Sequence, residues 1–154
     1  MDVHAPQPGR VVPLGDVPDP VFATAMVGPG VALDPEGEDP AVAVSPVSGT
    51  LMVAKPHAFL VEGAAGPVLV HLGIDTIELR GQGFEVLAPP GDQLEVGDPV
   101  VRWSPRAVTA SERSPLVVVL AMGAPAGHLS SFPADGAALA AGDILFTWES
   151  APGG

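Results

Sequence analysis

The stretch PHAFLVEGAAGPVLVHLGID, residues 56–75, decides how the chain is read. Two alternating apolar runs, Ala58–Glu62 and Pro67–Leu72, flank Gly63-Ala64-Ala65-Gly66. Those four residues accept turn geometry, so the segment is expected to form an antiparallel hairpin. Pairing about a centre near 64–65 joins residues whose numbers sum to 128 or 129, and His57 with His71 gives 128. The two are therefore expected to lie opposite one another, with Cβ atoms about 4.5–5.5 Å apart. The two-residue period of a strand then puts His57, Phe59, Val61, Leu69 and His71 on one face. Two of the four histidines in the chain converge on this hairpin.

The same punctuation continues outward. Gly or Pro interrupts almost every window of ten residues, which leaves little room for helix interiors. Short runs rich in Val, Leu and Ile predict strands at Gly9–Pro13, Gly30–Leu33, Ala41–Val44, Gly49–Ala54 and Ala58–Glu62. Further strands are predicted at Pro67–Leu72, Phe84–Val86, Pro99–Trp103, Leu116–Leu120 and Ile144–Trp148. One short helix is expected at Pro105–Arg113, capped by Ser104 with Pro105 in its first position. Two segments share one form, APPGDQLEVGDPVV (88–101) and FPADGAALAAGDILF (132–146): a turn, a short strand, a Gly-Asp turn and another strand. The expected fold is all-β, an antiparallel β-sandwich or barrel-sandwich hybrid of the duplicated hybrid motif type, with at most short helices. Residues 9–149 are read as a single domain, and residues 1–8 and 150–154 as flexible ends.

Composition narrows the function classes. The chain has 154 residues, 6 Lys plus Arg against 18 Asp plus Glu, and a formal charge of −12. Six scattered cations do not build the basic patch that nucleic acid or an anionic membrane requires. Gly and Pro make up about a quarter of the residues, yet 47% of the chain is hydrophobic, enough to bury a core. Cysteine is absent, which excludes disulfides, thiolate metal sites and cysteine nucleophiles. The longest apolar run, Leu116–Met122, is far short of the ~20 residues a membrane helix needs. The expectation is a soluble, cytoplasmic protein without membrane insertion.

Three chemistries are open to an opposed histidine pair on an apolar surface. Each ring can be structural, satisfied by a nearby carbonyl. The pair can ligate zinc, although two ligands are fewer than the three a catalytic site usually takes from protein. Or one imidazole can carry a covalent group while its neighbour donates hydrogen bonds to it. A phosphoryl group suits the last case, because positioning supplies most of its catalysis.

The run HLGIDTIELRGQGFEVLAPPGDQLEVGDPVVRW (71–103) resembles the signature of the glucose-class enzyme IIA of the bacterial phosphoenolpyruvate-dependent sugar phosphotransferase system. VVPLGDVPDPVFATAMVGPGVAL (11–33), SPVSGTL (45–51) and PHAFLVEG (56–63) are similar to further phrases of that family. The resemblance implies a β-sandwich and a phosphoryl carrier with no cofactor. It implies that His71 accepts phosphate from the carrier protein HPr, that His57 hydrogen-bonds it, and that a cysteine on the IIB domain of a sugar permease receives it. Asp19 and Asp75 match the family's rim aspartates, which pair with arginines of the partners. Val21, Phe22, Phe59 and Leu69 are the expected apolar docking surface. The route is that of glucose or N-acetylglucosamine, and the resemblance also allows regulation of permeases or metabolic enzymes and a zinc ion shared between His57, His71 and a partner.

One departure lies near the chemistry. Lys55 stands where many members carry a threonine that orients the first histidine; it either adds positive charge near the phosphate or is simply solvated. Glu78 and Arg80 read as residues of an exposed strand, and Gly73, Gly81 and Gly83 as turn residues. Two alternatives belong to other classes. Lys55 is the only lysine and would be the attachment point of a lipoyl or biotinyl swinging-arm carrier. A zinc-dependent β-sandwich hydrolase would need a third ligand phrase such as His-x-His, which the sequence does not contain.

Overall fold

Alternation becomes layering in the computed structural model, which describes residues 1–149. In chain order its elements begin with β1 (Asp2–His4), β2 (Gly9–Pro13), α1 (Pro20–Ala23), β3 (Gly30–Pro35), β4 (Ala41–Val44), β5 (Gly49–Lys55), β6 (Ala58–Glu62) and β7 (Pro67–Leu72). They continue with β8 (Phe84–Val86), β9 (Gln93–Leu94), β10 (Pro99–Trp103), α2 (Pro105–Ala110), β11 (Val117–Ala121), β12 (Leu129–Ser130), β13 (Ala138–Leu139) and β14 (Ile144–Trp148). Short 3-10 helices occupy Leu14–Asp16, Thr76–Leu79 and Ala126–His128. The all-β expectation holds, with antiparallel pairing in all three sheets.

The largest sheet has eight strands in the order β13-β2-β3-β11-β7-β6-β5-β9. Two three-stranded sheets, β1-β14-β12 and β4-β10-β8, complete the fold. Side chains from all three sheets meet in one core, among them Val3, Phe59, Val70, Trp103, Val119 and Phe146. Along β7 the inward residues Val68, Val70 and Leu72 are buried, while Pro67, Leu69 and His71 are half-buried. β11 is buried on both faces. Val117, Val119 and Ala121 enter the main core, and Val118 and Leu120 turn the other way into a smaller cluster with Val17, Phe22, Ala32 and Ile74. The segment leading into α1 thus closes the outer side of the sheet next to His71.

The helix predicted over Pro105–Arg113 is shorter, Pro105–Ala110, with Ser104 capping it by accepting the Ala107 N–H at 3.1 Å. It cannot continue past Glu112, whose φ is 64°. The predicted flexible end at residues 1–8 is a correction. β1 pairs with β14, Val3 and Ala5 are fully buried, and the N-terminal ammonium donates to the Trp148 carbonyl at 2.9 Å. A terminus is ordered when a sheet ties it down, and Val3 supplies the apolar anchor. The expectation for residues 150–154 lies outside the described residues.

Candidate functional site

The hairpin pairs with a sum of 129, one more than the pairing that would oppose the histidines directly. Glu62 opposes Pro67, Phe59 opposes Val70 and Ala58 opposes His71. The four-residue loop is closed by the Gly63 N–H donating to the Gly66 carbonyl at 3.0 Å. Burial explains the choice, because this register turns Phe59, Val61, Val68 and Val70, all fully buried, to the same face. A slip of one residue would expose half of them. Two corrections follow. Phe59 is a core residue with no exposed surface and cannot line a docking face. His57 does not share the strand alternation of β6; it sits with Pro56 in the tight turn between β5 and β6, where Lys55 pairs with Ala58.

The rings meet nevertheless. The His57 carbonyl accepts the Leu72 N–H at 2.8 Å, holding the turn against β7. Only the methyl of Ala58 stands directly across from His71. From that turn the His57 ring approaches His71 edge-on, with centroids 5.3 Å apart and planes at 70°. Phe22 packs on His71 from α1 at 5.0 Å. Phe22 is 8% exposed, so it supports the imidazole more than it offers surface. Val21, its neighbour, is 43% exposed, and Leu69 is half-buried.

His71 Nδ1 lies 2.7 Å from the Gly73 carbonyl oxygen. A carbonyl only accepts, so Nδ1 carries the proton and the neutral ring leaves Nε2 as a lone-pair nitrogen. Among the described residues Nε2 has no hydrogen-bond partner. Gly73 can bend the chain this way because its φ is 79°. Thr76, fully buried, locks the bend by donating its hydroxyl to the Leu72 carbonyl at 2.7 Å. The role of the Gly73 carbonyl is one that sequence reading missed, having assigned that glycine only a turn. The signal was its spacing, two residues beyond a histidine that ends a strand.

Burial pushes the pKa of His71 below the ordinary 6.5, and nearby His57 adds to the effect. The Gly73 carbonyl and the carboxylates of Asp19 and Asp75 pull the other way without reversing it. His57 is lowered as well, by burial first and by the Lys55 ammonium second. Asp19 caps α1, its Oδ1 accepting the Val21 N–H at 2.9 Å. Asp75 is exposed in a left-handed conformation, φ 60°, at the start of the Thr76–Leu79 turn. The structure thus gathers His57, His71, Asp19, Asp75, Val21, Phe22 and Leu69 on the outer face, and of the predicted site residues removes only Phe59. It adds one apolar residue that sequence reading omitted: Ile77, 64% exposed, from the turn after Asp75.

Glu78 and Arg80 are not strand residues. Glu78 belongs to the 3-10 turn and pairs with Arg113 at 3.4 Å, while Arg80 caps the turn's end. Beside His57 a cleft of about 240 Å³ is lined by Lys55, Pro56, His57, Ile77, Arg80 and Gly81. Cavities of about 230 and 320 Å³ lie away from the histidines, around Phe84 and Val108 and around Glu36 and Arg106. Among the described residues no group of three or more His, Cys, Asp or Glu is placed to hold a metal ion. Two imidazoles alone fall short of the four-coordinate shell that zinc takes. The hydrolase alternative lacks the ligands it needs.

Fold and site together define a class: an antiparallel β-protein that presents a buried-backed imidazole pair on an open face. The family model of the phosphoenolpyruvate-dependent sugar phosphotransferase system, EIIA 1, matches residues 1–125. The chain is 41% identical over 116 residues to the glucose-specific EIIA component of the phosphotransferase system of Staphylococcus aureus, covering 73% of this chain and 68% of that one. It is 34% identical over 140 residues to a mannose-specific EIIBCA component of Corynebacterium glutamicum, covering 88% of this chain and 20% of that protein. The structure superposes on glucose permease IIA from Mycoplasma capricolum with a TM-score of 0.84 and 29% identity, over 95% of this chain and 94% of that chain. The chain belongs to the EIIA 1 family of the sugar phosphotransferase system, and its role is that of a glucose-type phosphoryl carrier. Among the described residues no helix is long and apolar enough to cross a membrane.

Proposed function

We propose that the phosphoryl group is carried on Nε2 of His71, received from phospho-HPr and passed to the cysteine of a IIB domain on the cytoplasmic side of a sugar permease. The observation that carries this reading is the 2.7 Å hydrogen bond from His71 Nδ1 to the Gly73 carbonyl. It fixes the tautomer in which Nε2 is the nucleophile. In the loading step the Nε2 lone pair forms a bond to phosphorus as the donor's N–P bond breaks, and the released electron pair returns to the donor imidazole. The proton stays on Nδ1, donated to the Gly73 carbonyl throughout, so the ring needs no deprotonation. His57, edge-on at 5.3 Å, donates a hydrogen bond to the bound phosphoryl oxygens and steadies the group for the second transfer.

Asp19 and Asp75 meet partner arginines rather than the phosphate, setting orientation on an otherwise apolar face. Val21 and Leu69 contribute the apolar contact. A first test incubates the protein with phosphoenolpyruvate, enzyme I and HPr. One acid-labile phosphoryl group per chain is expected, abolished by His71→Ala. His57→Gln is expected to keep the labelling and lose transfer to IIB. Labelling that survives His71→Ala would overturn the assignment.

A further inference from the structure

Six cationic side chains serve a chain with 18 carboxylates, and three of the six sit in ion pairs. Arg10 pairs with Glu36 at 2.5 Å, Arg102 with Glu85 at 2.5 Å, and Arg113 with Glu78 at 3.4 Å. Arg106 lies against Asp39, whose carboxylate its backbone N–H also reaches at 3.0 Å. Arg106, Lys55 and Arg80 have no ion-pair partner within 4.0 Å among the described residues, and of the three only Arg106 reaches a carboxylate, through its backbone N–H. Lys55 and Arg80 both line the same cleft beside His57, and among the described residues no carboxylate lines it with them. In a protein of charge −12, two unneutralised cations converging on one cleft are not explained by the fold.

Backbone geometry adds a second, independent sign. Arg80 is held at φ 53°, a left-handed conformation that disfavours any residue with a Cβ, immediately before Gly81 at φ 83°. Outliers of this kind mark places where the surrounding structure over-determines a side chain's position. Here the turn Thr76–Leu79 carries Asp75 at its start and Arg80 at its end, with exposed Ile77 between them. The outer face is therefore electrically lopsided, with the carboxylates of Asp19 and Asp75 acting on His71 and the Lys55 ammonium acting on His57.

We propose that Lys55 and Arg80 form a carboxylate-accepting groove that fixes the rotational register of the phosphotransfer partner. The occupant is an acidic side chain at the rim of the partner's transfer face, seated while that partner's basic residues meet Asp19 and Asp75. Opposite signs on the two sides of one face admit a single docking orientation, and like charges meet if the partner turns round. Rotation matters because the reacting nitrogen must be approached in line. The inference rests on the carrier reading above.

The test measures KM for phospho-HPr and for the IIB domain, with the wild type, Lys55→Glu/Arg80→Glu and the neutral Lys55→Gln/Arg80→Asn. Asparagine tolerates the left-handed backbone, so the neutral pair removes charge without adding strain. The double reversal is expected to raise KM for at least one partner about tenfold at low salt, the neutral pair less, with both defects shrinking as salt rises. Replacing the partner's rim carboxylate by lysine should restore the reversed variant. Unchanged KM for both partners overturns the groove. A defect that no such exchange restores also overturns it and assigns the cleft to a free anion. Wild-type protein that takes up no phosphoryl group on His71 overturns the carrier reading and the groove with it, which separates the two failures.

Discussion

Replacing Gly73 by alanine probes the bend that aims His71. A Cβ built there would lie 2.5 Å from Thr76 Cγ2, 3.1 Å from the Ser114 carbonyl oxygen and 3.4 Å from Val108 Cγ1. Thr76 cannot swing away cheaply, because it is fully buried and its hydroxyl holds the Leu72 carbonyl. Placing alanine at φ 79° costs about 1–2 kcal/mol, and forcing overlap into packed surroundings adds about 1–3 kcal/mol. Gly91 is the control. Its φ is 97°, yet no heavy atom lies within 4 Å of a Cβ there, so Gly91→Ala pays the backbone cost alone, about 1–2 kcal/mol. Urea unfolding reads both, as a fall in midpoint at constant slope. At this chain length each kcal/mol also lowers Tm by roughly 2–4 °C. Gly73→Ala should therefore be the more destabilised of the two and should load phosphate more slowly, since the carbonyl that fixes the tautomer is displaced. If the two variants agree within about 0.5 kcal/mol, the usual limit of additivity, the packing argument is refuted.

Two further outcomes follow from burial. Phe59→Ala should cost about 3–5 kcal/mol in urea unfolding, as expected of a core phenylalanine; a loss below about 1 kcal/mol, the range of a surface site, would return Phe59 to the docking face. The second concerns pH. The folded-state pKa of His71 lies below the ordinary 6.5, so between those values the unfolded chain binds more protons than the native one. Stability is then lost as pH falls through 6.5 and levels off above it. Melting temperatures at pH 7.5 and 5.5 should show the wild type losing more than His71→Gln, and equal losses would remove burial as the cause. By the same sign, phosphoryl uptake should persist below pH 6.5, because the neutral ring persists.

Much of this was legible because Gly and Pro punctuate the chain so densely. Gly9–Pro13, Ala41–Val44, Ala58–Glu62, Pro67–Leu72 and Pro99–Trp103 appear as strands with the bounds their turn residues indicate. β1 was hidden, since a three-residue strand at a polar terminus has no periodicity to read; its partner β14 is 140 or more residues away. The histidine pair was found through hairpin symmetry, yet a sum of 128 rather than 129 placed Phe59 on the wrong side. Loop composition is the same for either register, and only tertiary burial decides between them. Asp19 and Asp75 came from motif resemblance, and no local pattern would have brought residues 56 apart in sequence to one ring. The unpaired state of Lys55 and Arg80 was illegible for a related reason. Which cations are neutralised depends on contacts such as Arg10 with Glu36, made across strands.

One nitrogen of His71 holds the proton and the other receives the phosphoryl group. Long-range 1H–15N spectra of the imidazoles, recorded before and after loading with phosphoenolpyruvate, enzyme I and HPr, read both directly. The prediction is a neutral His71 protonated on Nδ1 that gains phosphorus on Nε2, with His57 unmodified. Phosphorus on Nδ1, on His57 or on any other residue would contradict it.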